Sequence, residues 1–250
     1  MSRPQILATD LHYRYPDGMT ALAGASFAIH HGERVAIVGA NGAGKSTLLL
    51  HLSGVLQPSQ GQVTIDDLPV TEKTFTTVRQ RVGLVFQDPD DQLFMPTVLE
   101  DVTFGPLNLG VPPEESQRRA RECLEQVGAW HLRDRPPHRL SAGEKRRVAI
   151  AAVLAMAPDV LVLDEPTTGL DPRGRRQLIQ LLKGFPHTRI IASHDLDLVL
   201  ELCPRTILLH AGKIAADRPT VELMRDDQLL QRTGLERPLS MQCCPICNNK

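Results

Sequence analysis

The chain has 250 residues, of which 42% are apolar and 23% charged, and its net charge is −1. Such a composition describes a soluble globular protein with material for a sizeable core, and the near-neutral balance gives no electrostatic basis for nucleic acid as a main partner. No apolar run reaches the ~18 residues of a membrane-spanning helix, and the opening MSRPQILATD lacks the apolar segment of a signal peptide, so the cytoplasm is the expected compartment.

In chain order, ILATDLHYRY, SFAIHHGE and GQVTIDD are short strand-like runs between turn residues, and they predict an antiparallel sheet in the N-terminal part. VAIVG (Val35 to Gly39) reads as a strand entering a glycine-rich turn and the apolar helix STLLLHLSGV, and VGLVF (Val82 to Phe86) reads as the next strand. From about Asp88 to Pro158 the strand pattern stops. There PPEESQRRARECLEQVG (Pro112 to Gly128), closed by a glycine, predicts a helix, and VAIAAVLAMA (Val148 to Ala157), stopped by Pro158, predicts a buried one. Strands return as VLVLD (Val160 to Asp164), RIIAS (Arg189 to Ser193) and TILLH (Thr206 to His210). These later runs are almost continuously apolar, the mark of parallel strands covered on both faces, so the expected fold is α/β with a parallel core sheet.

The segment after about Ala216 is polar and weakly patterned, and it predicts a short helical segment. Of the 5 cysteines, Cys123 and Cys203 read as packed apolar residues. The terminal CCPIC (Cys243 to Cys247) lacks the four ligands of a tetrahedral site unless it shares one across a dimer or recruits a histidine. It otherwise reads as a tail of reactive thiols.

GANGAGKS (Gly39 to Ser46) matches G-x-x-x-x-G-K-[ST] between a strand and a helix. Its glycines let successive backbone N–H groups surround phosphate oxygens, and the helix adds its positive N-terminal end. Lys45 is expected to reach the β- and γ-phosphates and the Ser46 hydroxyl to ligate Mg²⁺. VLVLDEP delivers Asp164 to the carboxyl end of a core strand, where it can hold Mg²⁺ through water. The adjacent Glu165 can orient or deprotonate a water for in-line attack. His194 ends the RIIAS strand, where a γ-phosphate sensor can sit. In RLSAGEKRRVAIAAVLAMAP, Ser141 is a good N-cap and Gly143 allows close backbone approach at the first helical turn, which makes a second anion-binding helix end. Two such devices with one phosphate loop suggest a head-to-tail dimer, each ATP lying between the loop of one copy and the Ser141 helix of the other.

With these residues in order, the chain resembles the nucleotide-binding subunit of an ABC transporter over roughly residues 5 to 215. The resemblance implies a P-loop NTPase fold with a RecA-like core, an N-terminal antiparallel β-subdomain and an inserted helical subdomain at about 88–158. The ATP-binding domain would take residues 1–242, and residues 216–250 the short helical segment and cysteine tail. It further implies that Tyr15 stacks on adenine and that Gly39, Ala40, Asn41, Gly42, Ala43, Gly44, Lys45, Ser46 and Thr47 form the phosphate loop. Gln87 would be the Q-loop glutamine sensing Mg²⁺ and the transport partner, Asp171 part of the D-loop, and His194 the switch histidine. The signature reads LSAGE instead of LSGGQ, with Ala142 and Glu144 as departures. Neither removes Ser141, Gly143 or the helix end, so ATP-driven closure is still implied, and the γ-phosphate contact is what the changes touch.

The stretch QDPDDQLF (Gln87 to Phe94) could be a metal loop, a solvated loop or a partner surface. Pro89 interrupts any alternating ligand pattern and no glycine turn follows, while Leu93 and Phe94 supply apolar anchors beside the acids, which suits docking of a helix. The region resembles ATPases of energy-coupling factor transporters, which implies a membrane coupling protein docking near Gln87 to Phe94 and a substrate-binding membrane subunit. LSAGEKRRVAIAAVLAM resembles the cobalt and nickel uptake branch, which implies an ATPase energising import of those ions from the cytoplasmic face of the membrane. The alternatives are a vitamin or other small-solute importer, a soluble ABC ATPase acting on ribosomes or DNA, and a small-molecule P-loop kinase.

Overall fold

In the computed structural model, which describes residues 3–242, the core strands assemble into a six-stranded sheet. The chain opens with β1 (Ile6–Arg14) and β2 (Thr20–Ile29), then β3 (Arg34–Val38), α1 (Lys45–Leu52), β4 (Gln60–Ile65), β5 (Leu68–Pro69), α2 (Phe75–Arg81) and β6 (Val82–Val85). Next come α3 (Val98–Asn108), α4 (Pro113–Gln126) and α5 (Ala142–Leu154), which interrupt the alternation of strand and helix. It resumes with β7 (Val160–Asp164), α6 (Pro172–Lys183), β8 (Thr188–Ala192), α7 (Leu196–Leu202), β9 (Arg205–His210) and β10 (Lys213–Pro219), and closes with α8 (Thr220–Leu223) and α9 (Asp227–Arg232). The CCPIC cysteines lie outside the described residues.

The larger sheet has the order β10-β9-β3-β8-β7-β6, parallel throughout except for β10, which runs antiparallel to β9. Its continuous apolar strands divide residue by residue between two cores. Val160 and Val162 face one side with Val35, Ile37, Leu48 and Ile65. Leu161 and Leu163 face the other with Val102, Leu124, Val148 and Leu198. The first core is closed by the four-stranded antiparallel sheet β2-β1-β4-β5, and the second by the helices α3 to α7. This two-sided burial is why the strands carry no polar alternation.

One expectation is corrected. The chain beyond Ala216 does not turn helical at once, because β10 runs on to Pro219. This edge strand is mostly exposed, so its polar composition hides it, and a terminal proline removes no interior ladder bond. The Ala211–Gly212 turn before it has positive φ at both residues, and Gly212 N–H donates to Ala43 O at 3.1 Å while Ala23 N–H donates to Gly212 O at 2.9 Å. The hairpin tip therefore braces the loop after β3. Cys203 is buried, and burial pushes its thiol up to about 12, so it packs as a small apolar residue.

Arg189 of β8 is an anomaly in this core. Its side chain is fully buried, and none of its guanidinium nitrogens has a hydrogen-bond partner among the described residues. Burial holds its pKa below the ordinary arginine value, Cys203 opposes this, and Arg34 adds to the lowering. A buried cation without a partner costs stability that a hydrophobic side chain of similar length does not. Arg189→Met is expected to raise the urea midpoint, stabilising by about 1–3 kcal/mol. A lower midpoint would show that the guanidinium is satisfied in solution.

Candidate functional site

The phosphate loop is shaped by backbone closeness. A Cβ on Gly39 would lie 2.3 Å from the carbonyl oxygen of Leu209, and one on Gly44 2.4 Å from that of Ala21. Gly42 and Gly44 also adopt φ of +79° and +102°, a region that side chains disfavour. Gly39 is thus required for space, Gly42 for its dihedral, and Gly44 for both. Lys45 is buried, and its Nζ donates to Gly39 O at 2.8 Å and Ala40 O at 3.3 Å, folding back over the loop. Tyr15 Oη lies 3.0 Å from Thr47 Oγ1, with its ring edge-on to Tyr13. A cavity of about 570 Å³ is lined by Tyr15, Asn41, Gly42, Gly44, Lys45, Ser46, Thr47, Gln87, Glu165 and His194. Gly39, Ala40 and Ala43 build the loop without lining this cavity.

Asp164 ends β7 in an adjoining cavity that shares Ser46 and Gln87. It is buried, and its Oδ1 has no partner among the described residues. Burial pushes its pKa up, Glu165 adds to this, and the Ser46 hydroxyl and the Lys45 and Arg146 cations pull it down. A shielded carboxylate with an unused oxygen beside a hydroxyl and a glutamine is a hard-oxygen donor set of the kind Mg²⁺ takes, so the residues fit that ion.

Glu165 adopts φ of +45°, a strained conformation for a non-glycine residue. Its N–H donates to Ala192 O at 2.9 Å. Its buried carboxylate accepts from Ser193 Oγ at 3.1 Å and His194 N–H at 3.1 Å, and pairs with His194 Nδ1 at 2.8 Å. The remainder of the His194 side chain is exposed. Glu165 and His194, assigned separate tasks from sequence, are thus in direct contact. Ser193 is an addition that its place at the end of β8 could have suggested.

The other candidates line a different cavity. Ser141, Gly143 and Asp171 share a space of about 510 Å³ with Glu144, Arg147, Arg173 and Gln177. Ser141 caps α5, its Oγ accepting from Glu144 N–H at 3.4 Å, and Asp171 caps α6 by accepting from Gly174 N–H at 2.6 Å. Among the described residues, none lines both this cavity and the one at the phosphate loop.

The QDPDDQLF loop is fastened to α5. Arg146, buried, donates to the carbonyls of Phe86 at 2.7 Å and Gln87 at 2.6 Å. Gln92 donates to Ala149 O at 2.7 Å, and Lys145 pairs with Asp90 at 2.5 Å. Asp88 accepts from Asp90 N–H. Two of the acids read as a partner strip are therefore engaged within the chain. The outward apolar surface is Phe94, 64% exposed, and it stacks edge-on with Phe104 at 4.9 Å. Arg146 and Phe104 were not legible as site residues.

The sequence pattern of the ABC transporter family matches residues 22–168. GSU1281 of Geobacter sulfurreducens is 64% identical over 99% of both chains. The energy-coupling factor transporter ATP-binding protein EcfA of Methanothermobacter thermautotrophicus is 49% identical over 92% of this chain and 75% of its own. Among solved structures, cbiO1 from Clostridium perfringens, part of the ABC transporter complex cbiONQ, superposes with a TM-score of 0.79 at 40% identity, covering 92% of this chain and 94% of its own. The dimeric ATP-binding cassette MJ0796, bound to ADP and Pi in a post-hydrolysis state, gives 0.78 at 30% identity over 86% and 98%.

Because burial raises the folded-state pKa of Asp164 above its unfolded value, this carboxyl costs the fold stability as pH rises past the unfolded value, and the cost is complete above the raised one. Asp164→Asn is expected to raise the thermal midpoint without nucleotide or divalent cation, by about 2–4 °C per kcal/mol relieved, while removing Mg²⁺-dependent nucleotide binding. An unchanged or lower midpoint contradicts this.

Proposed function

The chain belongs to the ABC transporter family as an ATP-binding subunit and ATPase, and from that premise we propose that two copies close head to tail around ATP to energise an energy-coupling factor importer of cobalt or nickel ions. The observation that carries the shared site is the division of the functional residues between two cavities of one copy. The phosphate loop, Glu165 and His194 lie in one, and the Ser141 helix end in the other. A head-to-tail pair sets one opposite its counterpart twice over. The dimeric MJ0796 cassette supports this arrangement.

In this reading Tyr15 leaves Thr47 to stack on adenine, and the loop N–H groups take the phosphate oxygens. Lys45 turns from the carbonyls of Gly39 and Ala40 to the β- and γ-phosphates. Ser46, Asp164 and Gln87 hold Mg²⁺, which when bound offsets charge on the phosphates. Glu165 orients the attacking water and accepts its proton as the water oxygen bonds to γ-phosphorus and the bond to ADP breaks. His194, now donating to Glu165, is exposed enough to swing to the γ-phosphate. Ser141 and Gly143 of the second copy complete the grip, with Asp171 between the two sites.

No helix among the described residues is long and apolar enough to cross a membrane, so transport requires membrane partners, and the chain would act at the cytoplasmic face. Phe94 and Phe104 (39% exposed), whose rings meet edge-on, and Leu107 (45% exposed), one turn along α3, offer an apolar surface suited to a helix of the coupling protein, with a separate substrate-binding subunit beyond it. The likeness to EcfA and to cbiO1 supports the importer class. The cargo reading rests on the resemblance of the LSAGE region to the cobalt and nickel branch.

Glu165→Gln is expected to trap ATP and sediment as a dimer at saturating nucleotide, while Lys45→Ala stays monomeric and inactive. A monomeric Glu165→Gln protein sinks the shared site. Replacing Phe94 and Phe104 together by Ala is expected to abolish transport in reconstituted membranes and leave the ATPase of the isolated subunit near wild type. Loss of both together makes the patch structural. Uptake of radioactive cobalt or nickel by the complete complex tests the cargo, and uptake of a vitamin instead would replace it.

A further inference from the structure

We infer that Glu144 is a positioning residue, a carboxylate latch that holds the Ser141 hydroxyl and sets the ATP concentration at which two copies close. The inference deepens the shared-site reading above and rests on it.

Ser141 has one hydroxyl proton to give. Here it donates that proton to Glu144 Oε2 at 2.8 Å, and its own N–H donates to the same oxygen at 2.8 Å. Its Oγ accepts in return from Glu144 N–H at 3.4 Å. Both donors that Ser141 could offer an incoming phosphate are therefore committed to a carboxylate on its own helix. Hydrogen bonds from the Ser141 N–H and hydroxyl hold the Glu144 carboxyl below the usual carboxylate range, so it is an anion at neutral pH. A negative group lining the Ser141 cavity also repels the terminal phosphate that the second copy would bring.

The carboxylate has another place to go. Arg147 lies three residues on, on the same side of α5, and lines the same cavity. Its Nη1 donates to Gln177 Oε1 at 3.0 Å, while its Nε is buried without a partner among the described residues. A rotamer change in Glu144 would move the charge from Ser141 to Arg147, freeing the Ser141 hydroxyl and N–H together. Closure would then be a handover in which the γ-phosphate replaces Glu144 on Ser141 and Arg147 receives Glu144. Because hydrogen bonds to an ionised acceptor are roughly twice as strong as neutral ones, an amide at this position would hold Ser141 less firmly.

The test is ATP-dependent dimerisation followed by sedimentation velocity in the non-hydrolysing Glu165→Gln background. Adding Glu144→Gln is expected to lower the half-saturating ATP concentration by about fivefold, and adding Arg147→Met to raise it. In the hydrolysing protein Glu144→Gln should lower the ATP concentration for half-maximal turnover with kcat unchanged. Glu144→Ala, which removes cap and latch together, should lower the thermal midpoint and still lower the ATP threshold, separating closure from stability. An unshifted or raised threshold in Glu144→Gln overturns the latch and leaves Glu144 a helix cap. Ser141→Ala tells the two readings apart. If it dimerises at the parent's ATP concentration, the shared site and the latch both fall. If it fails to dimerise while Glu144→Gln is unshifted, only the latch falls.

Discussion

Parallel register between β7 and β8 is the constraint on which the site depends. Asp164 pairs with Ala192 across these strands, so the residues just past each strand end must meet. Glu165 thus reaches the Ala192 carbonyl through its N–H, and Ser193 and His194 through its carboxylate. A slip of one residue would invert every side chain of the strand between the two cores, so burial on both faces fixes the register strongly. The strain at Glu165 is held by the same bonds. β3, on the other side of β8, brings the phosphate loop to the same carboxyl edge, the general place for ligands in parallel sheets.

The helix α5 joins the remaining parts. Its first residues carry the Ser141 cap, its second turn holds the backbone of Phe86 and Gln87 through Arg146, and the Ala149 carbonyl fixes Gln92. The loop that carries the exposed Phe94 is therefore tied to the helix whose tip bears Ser141. Arg146 suits this task because its planar guanidinium grips two carbonyls at once. Lys145, one residue earlier, makes a single ion pair to Asp90.

Much of this was legible in the sequence where one physical cause dominates. Strands buried on both faces announce themselves as unbroken apolar runs, as VLVLD does. The phosphate loop is readable because the steric demand at Gly39 and Gly44 leaves only glycine. What escaped the reading depends on tertiary context. Arg146 stands in a run of charges, EKRR, that ordinarily marks a solvated face, and only the packed helix reveals that it points inward. Asp90 reads as a surface acid because its partner is 55 residues away. Phe104 is one apolar residue of a helix, and its exposure beside Phe94 is a property of how α3 packs. β10 is invisible to pattern because an edge strand does not need apolar residues.

The central claim is that each ATP is gripped from two copies of the chain. A crystal structure of the Glu165→Gln protein with Mg²⁺ and ATP at full occupancy tests it most directly. The account predicts a two-fold dimer in which the Ser141 hydroxyl of each copy lies about 3 Å from a γ-phosphate oxygen held by the other's phosphate loop. ATP bound in each copy with Ser141 of the other beyond hydrogen-bonding reach would contradict it.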